Sequence, residues 1–112
     1  MQGSYSLLVL QVVATAAIST ARGVSFAGAH TGAGLAIYGV SRTSGAIGDP
    51  VPIDCIGTTL MESGAAVTAG AAVEVDSVGR AINFAAGVKV GRALSAASAA
   101  GQMVEVLLFP AA

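Results

Sequence analysis

From Gly23 onward, glycine returns at such short intervals that almost no window remains for a helix of ordinary length. Glycine in a helix interior costs about 1 kcal/mol relative to alanine, and an isolated helix shorter than roughly a dozen residues is marginal in water. Short strands joined by tight turns are what such spacing allows. Three of the glycines open the same word: Gly48-Asp49-Pro50-Val51-Pro52-Ile53, Gly70-Ala71-Ala72-Val73-Glu74-Val75 and Gly101-Gln102-Met103-Val104-Glu105-Val106. In each, two residues separate the glycine from a pair of apolar residues spaced two apart. A glycine turns the chain at positive φ with little steric cost, and a strand then starts with its apolar residues on one side. The word reads as a turn followed by a strand start, and Pro50 and Pro52, which lack amide donors, suit an edge or a strand beginning.

Between the glycines lie runs rich in β-branched and aromatic residues, over 24–26, 35–40, 51–56, 58–61, 73–75, 81–84, 88–90 and 103–109. This spacing predicts an all-β, single-domain barrel or sandwich with short glycine-rich turns and at most one short helical turn. The first and third copies echo one another at greater length. Gly39 stands nine residues before Gly48 and Gly91 ten before Gly101, each pair separated by a Ser, Ala and Gly loop, so both read as hairpin-like units. The run 95–100 is alanine-rich and reads as a loop or a short helical turn. Val51, Ile53 and Cys55 alternate with Pro52 and Asp54, Val73 and Val75 with Glu74 and Asp76, and Val104 and Val106 with Glu105. The pattern predicts one buried face and one wet face that carries the carboxylates.

The apolar run 7–18 invites a secretory signal or a membrane span. No Lys or Arg precedes it, and it is shorter and more polar than the ~20 apolar residues a span requires. A strand entering a sheet explains the same residues. We divide the chain into an N-terminal strand or arm, residues 1–13, and a barrel or sandwich domain, residues 14–112. An exposed apolar arm is an aggregation hazard unless paired, so Leu7 and Val9 are candidates for contact with a neighbouring subunit.

Charged residues make up only 10% of the chain, against roughly 25% in ordinary soluble domains, so much of the surface must be small and apolar or weakly polar, which suits contact with protein. The five basic residues, Arg22, Arg42, Arg80, Lys89 and Arg92, are scattered singly and form no stripe for phosphates, which argues against nucleic acid as a partner. The single cysteine, Cys55, cannot form an internal disulfide and reads as a small hydrophobe on a strand. His30 is the only histidine, so one chain cannot build a multi-histidine metal site, and its glycine-rich setting reads as a solvated loop. Gly32-Ala33-Gly34 lacks the remaining glycine of a dinucleotide fingerprint, and no Gly-Lys-Ser or Gly-Lys-Thr occurs. The carboxylates Asp49, Asp54, Glu62, Glu74, Asp76 and Glu105 have no aromatic platform beside them for sugar chemistry. No catalytic, cofactor-binding or metal-binding set emerges, and neither a small-molecule substrate nor a membrane is expected. Arg80 and Arg92, in the parallel words Gly-Arg-Ala-Ile and Gly-Arg-Ala-Leu, are candidates for an intersubunit contact because guanidinium pairs bidentately with carboxylates.

In their order, the stretches GVSFAGAHTGAGLAIYGVS, IGDPVPIDCIG, VTAGAAVEVDSVGRAI and VGRALSAASAAGQMVEVLLFP resemble the small capsid cement or head decoration proteins of tailed bacteriophages. The similarity spans roughly residues 7–109. It is most specific in Val67-Thr68-Ala69-Gly70, Val73, Val75, residues 76–81, residues 90–94 and residues 101–106. The resemblance implies a β-rich virion protein without catalytic residues. It would bind the outside of an assembled head as an oligomer, a trimer at a threefold junction, and its partner would be the major capsid protein. Rival readings of the residues are a tail or baseplate subunit, a secreted bacterial β-domain that binds carbohydrate or a surface partner, and a small enzyme using His30.

Overall fold

The strand runs and glycine turns of the sequence resolve, in a computed structural model, into eight strands; the backbone of residues 5–108 and the side chains of residues 8–108 are described. Residues 1–4 of the arm, the Leu7 side chain and Phe109 lie outside the described residues. The strands are β1 (Tyr5–Val13), β2 (Gly23–Val24), β3 (Gly39–Ser41), β4 (Pro50–Glu62), β5 (Ala72–Val75), β6 (Ala81–Asn83), β7 (Gly91–Ala93) and β8 (Met103–Leu108). Among the described residues there is no helix. All strand pairs are antiparallel, in the order β2-β3-β4-β8-β7-β5-β6, with β1 added to the other side of β4. A parallel bridge from Ser63 to Ala81, with the Gly64 N–H donating to the Ala81 carbonyl at 2.8 Å, brings β6 back to the end of β4 and nearly closes a barrel. The expected hairpins are present as β3–β4 and β7–β8.

β4 organises the molecule. The sequence reads as two strands separated by Gly57, yet the chain runs straight through that glycine at φ 112°. Opposite it, the β1 register is irregular between Ser6 and Leu8 and between Leu8 and Val9. Such an irregularity flips which side chains face which way. Val51 and Ile53 accordingly join a small core with Ala14, Ile18 and Val24, while Met61 joins a larger one with Val40, Val73, Val104 and Val106. Asp54 and Thr59, of opposite parity, still meet, the Thr59 hydroxyl donating to Asp54 Oδ2 at 2.8 Å. Gly57 itself pairs with Ser6 of β1 on one edge and with Leu108 of β8 on the other.

The repeated word is the second organising feature. Gly48, Gly70 and Gly101 adopt φ of 89°, 86° and 86°, and their strands begin at Pro50, Ala72 and Met103. At Gly48 and Gly70 the turn is closed by the next residue's N–H, Asp49 to Ala46 at 3.0 Å and Ala71 to Thr68 at 3.1 Å, the arrangement of a turn that needs positive φ at its third position. A Cβ placed on any of the three would meet nothing within 4 Å, so torsion rather than crowding selects glycine.

The structure adds a fourth member that the sequence hides, because there the left-handed residue is Ala21, φ 64°. The four turns interlock in two pairs. In one, Ile18 and Gly45 exchange both amide bonds at 2.9 Å, Gly48 donates to Ala14, and Ala21 donates to Ser41. In the other, Val67 and Ala97 exchange both bonds at 2.9 Å, Gly70 donates to Ala93, and Gly101 donates to Ser63. Replacing Gly70 or Gly101 by alanine is expected to destabilise the fold by about 1–2 kcal/mol each, the cost of left-handed backbone in an L-residue. Ala21→Gly should be nearly neutral, since it relieves torsion but removes a buried methyl group. Urea denaturation checks both, and an unchanged midpoint for Gly70→Ala would show that the turn does not hold its torsion.

The expected wet face is not wet. Asp54, Glu74 and Glu105 are buried, because loops cover the outward side of the strands that carry them. Residues 88–90 are not a strand, pairing beginning only at Gly91, and 95–100 holds the Val67–Ala97 bridge instead of a helical turn.

Candidate interaction surface

Charged groups are held mainly by the chain itself. In the β5–β6 hairpin, Asp76 Oδ1 accepts the N–H groups of Val78 and Arg80 at 3.0 and 2.9 Å, and its Oδ2 accepts Arg80 Nε at 2.9 Å. Arg80 Nη1 also stands 3.9 Å from Glu62 Oε2, which accepts Arg22 Nη2 at 3.1 Å. Partial burial alone would raise the Asp76 carboxyl, but the Arg80 and Val78 amides and the Arg80 guanidinium outweigh it and hold the group below its ordinary range. Lys89 lies over the Phe84 ring, 5.0 Å from its centroid. Arg92 is exposed and donates to the Gly70 carbonyl at 2.7 Å. Of the sequence candidates, then, Arg80 is half-buried in an ion-pair network with Asp76 and Glu62, and Arg92 stands on the surface beside a turn. Val9 is exposed on β1, whose described pairing is with β4. Among the described residues, Val9, Arg80 and Arg92 lie on or beside three different strands.

Glu74 is cradled by the turn after β6: its Oε1 accepts the N–H groups of Ala85, Ala86 and Gly87. The Ala85 N–H lowers the carboxyl most, burial works against it, and the Gly87 and Ala86 amides complete the lowering. His30 is not the solvated loop residue expected. It is half-buried, forms a bridge with Val24, and its Nε2 accepts the Ser19 N–H at 2.9 Å. Burial first, and then the Arg22 charge, lower its affinity for a proton. Cys55 is half-buried beside the small core; burial pushes its thiol up, the Leu10 amide opposes this, and the Asp54 charge adds to it.

The His30, Glu74 and Asp76 shifts have one sign in stability, and the Cys55 shift has the other, felt only above its ordinary value of 9.0. His30 has an ordinary value of 6.5 that the fold depresses, so below that pH the unfolded chain takes up a proton the folded chain refuses, and stability falls. Glu74 and Asp76, with ordinary values of 4.5 and 3.8, contribute stability above those values that is lost as the pH falls through their lower folded values. Thermal midpoints should therefore be flat from neutrality to about the ordinary Cys55 value of 9.0, above which the thiol's raised value makes them fall, and should decline on acidification in two stages. His30→Gln, which keeps an acceptor for Ser19, should remove the upper stage and leave the lower.

The apolar surface is more distinctive than the charges. Phe26 is 80% exposed, Ile47 73% and Val13 60%. They sit on adjacent segments: the Thr15 N–H donates to Gly28 at 2.9 Å, and the Gly48 N–H donates to Ala14 at 2.8 Å, so segments 25–28 and 46–49 flank residues 13–15. Phe26 is propped edge-on against Tyr38, ring centroids 5.1 Å apart, and Tyr38 packs on the small core. Leu35, Leu94 and Leu107 are exposed elsewhere. Exposed aromatic and aliphatic side chains in this number mark contact surfaces. A pocket of about 250 Å³ lies between the Ala21 turn, β3 and β4, lined among others by Ala21, Ser41, Arg42, Asp54, Thr59 and Leu60. Among the described residues no group of His, Cys, Asp and Glu is placed to hold a metal, and no helix is long and apolar enough to cross a membrane. Nothing in the sequence signals the pocket, whereas the Ala21 turn leaves a mark there: Thr15-Ala16-Ala17-Ile18 parallels Gly64-Ala65-Ala66-Val67, each ending on a bridge residue.

An antiparallel shell that displays apolar side chains and pairs several of its charges internally is suited to acting through contact. Residues 3–108 match the family model of the phage cement proteins, and the chain belongs to that family. It is a structural, capsid-binding virion protein. Among solved structures it is similar to the N base of the head fiber gp8.5 in bacteriophage phi29, at 15% identity and a TM-score of 0.75 over 91% of this chain and 93% of that one, a likeness of fold. No curated protein matches the sequence.

Proposed function

We propose that this protein decorates the exterior of the phage head and stabilises it by clamping several capsid subunits at once, without catalysis or cofactor. The single observation that carries this reading, beyond family membership, is the exposed group Val13, Phe26 and Ile47 on three interlinked segments. An oligomer, most simply a trimer at a threefold junction, presents several such patches, and their joint engagement of the major capsid protein multiplies modest individual affinities. Within the oligomer, the arm of residues 1–13 with Leu7 and Val9 meets a neighbouring subunit, and Arg92 and the partly exposed face of Arg80 are its polar contributors. Assembly would occur in the host cytoplasm.

The test is co-sedimentation with expanded and unexpanded heads of the source phage, binding being expected only to the mature shell. Phe26→Asp combined with Ile47→Asp should weaken binding more than about tenfold while leaving the thermal midpoint nearly unchanged, because both side chains are already in water in the free protein. Undiminished binding by that variant would place the contact elsewhere. Sedimentation equilibrium gives the subunit number.

A further inference from the structure

On the side of β1 away from β4 the sheet ends. The Ala14 N–H donates to the Asp49 carbonyl at 2.9 Å, so in this antiparallel pair the amides of residues 10, 12 and 14 face β4 while those of Val9, Gln11 and Val13 face the other way. Two neighbours agree with the alternation: the Leu10 amide lies against Cys55 of β4, and the Thr15 N–H turns outward to the Gly28 carbonyl. Segment 25–28 thus closes the edge at residue 15. Among the described residues, the outward amides of Val9, Gln11 and Val13 meet no acceptor, and β4 is the strand partner of β1. The same place in the other turn pair is protected. Gly48 donates to Ala14 as Gly101 donates to Ser63, so Val13 and Glu62 are counterparts, and the outward Glu62 N–H donates to the Ala21 carbonyl at 2.9 Å. The Glu62 carboxylate also meets Arg22.

β1 has no such cover. From Tyr5 to Val13 it carries no charge, proline or glycine, its irregularities lie between Ser6 and Val9, and the register from Val9 to Val13 is regular. Leu8, Val9, Leu10 and Val13 are all exposed. Sheets blunt their edges with charges, prolines or bulges, and an apolar edge without them joins other strands. We propose that β1 of a second copy of this chain pairs antiparallel with this edge over Val9 to Val13, which makes specific the neighbouring-subunit contact assigned to the arm above. An extended backbone supplies acceptors at alternate residues to match those donors. The edge also needs cover from the moment the chain folds; a second copy is present then, whereas the mature shell is not. The strand has no charge to repel its own image, and Gln11 at its middle has a side-chain amide that both donates and accepts, so like can face like. Pairing of one edge with itself is two-fold and self-terminating, and any three-fold contact belongs to other surfaces.

The test is amide hydrogen exchange on isotope-labelled protein, read residue by residue, with sedimentation equilibrium on the same samples. The protein is expected to associate, with the Gln11 and Val13 amides exchanging at least about tenfold more slowly in concentrated than in dilute solution. Gln11→Pro deletes one outward donor and leaves the amides that face β4, and it should weaken association more than about tenfold. Gln11→Lys, which places two like charges within the pair, should do the same and serves if the proline variant fails to fold. Gln11→Ala keeps the backbone donor and should still pair, which separates main-chain pairing from side-chain packing. A wild type that is monomeric at every concentration, or one that associates while the Gln11 and Val13 amides exchange freely, overturns the proposal. So does an edge that is open in the free protein and protected only on heads, which would assign it to a capsid strand. Head binding is a separate readout: paired wild type that leaves heads bare sinks the capsid reading and leaves the pairing standing.

Discussion

Met61→Ala and Ile53→Ala are each expected to destabilise the domain by about 2–5 kcal/mol, and each to melt it in a single transition. Both side chains are fully buried, one in the larger core and one in the smaller. Two cores in a small protein invite the idea of two folding units. β4 argues otherwise, since it supplies both residues and hydrogen-bonds β1, β3 and β8. Losing either end of that strand removes the template for the other, so a cavity in one core is felt as lost stability of the whole. With a total stability of roughly 5–15 kcal/mol for a domain of this kind, either change alone approaches the threshold of unfolding. Urea unfolding followed both by far-ultraviolet circular dichroism and by tyrosine fluorescence checks this. Coincident curves are expected in wild type and variants, and separated curves for Ile53→Ala would mean the small core melts by itself.

Gly87→Ala has the next largest expected effect, about 1–3 kcal/mol of destabilisation from overpacking, and more than Gly70→Ala despite the same added methyl group. A Cβ at Gly87 would collide with the backbone of Gly34 and come within 2.6 Å of Glu74 Oε2. Backbone cannot rotate aside as a flexible side chain can. The Val88 N–H donates to the Gly34 carbonyl at 2.9 Å, so separating the two segments also strains that bond and the amide cradle of Glu74. The variant should consequently lose part of the lower acid stage described above, because a loosened Glu74 titrates nearer its ordinary value. A Gly87→Ala protein as stable as wild type, with an unaltered acid profile, would refute the close approach of Gly34 and Gly87.

What could be read in the sequence was whatever the residue type itself must obey. Positive φ without a Cβ penalty writes itself as glycine, so Gly48, Gly70 and Gly101 announced their turns, and the strands after them, directly. Ala21 makes the same turn because its neighbours hold it there, through hydrogen bonds to Ser41 from its own N–H and from Glu62 to its carbonyl, and such tertiary constraint leaves no mark at the position itself. Alternation told which side of a strand Asp54, Glu74 and Glu105 occupy but not that loops return over that side. The words around Arg80 and Arg92 are nearly identical, yet one arginine meets Asp76 and Glu62 while the other donates to a turn carbonyl, a difference made by which strands the fold sets beside each. The pocket had no sequence signal because its walls come from the Ala21 turn, β3, β4 and β8, far apart along the chain.

Gly57 has one more effect, through its two partners. Ser6 and Leu108 flank it on opposite edges, and neighbouring strands lie about 4.8 Å apart, so these two residues stand roughly 10 Å from each other across β4. A pair of spectroscopic labels, one on each of these two positions, would thus lie close enough to report by their separation whether β4 stays gripped on both edges.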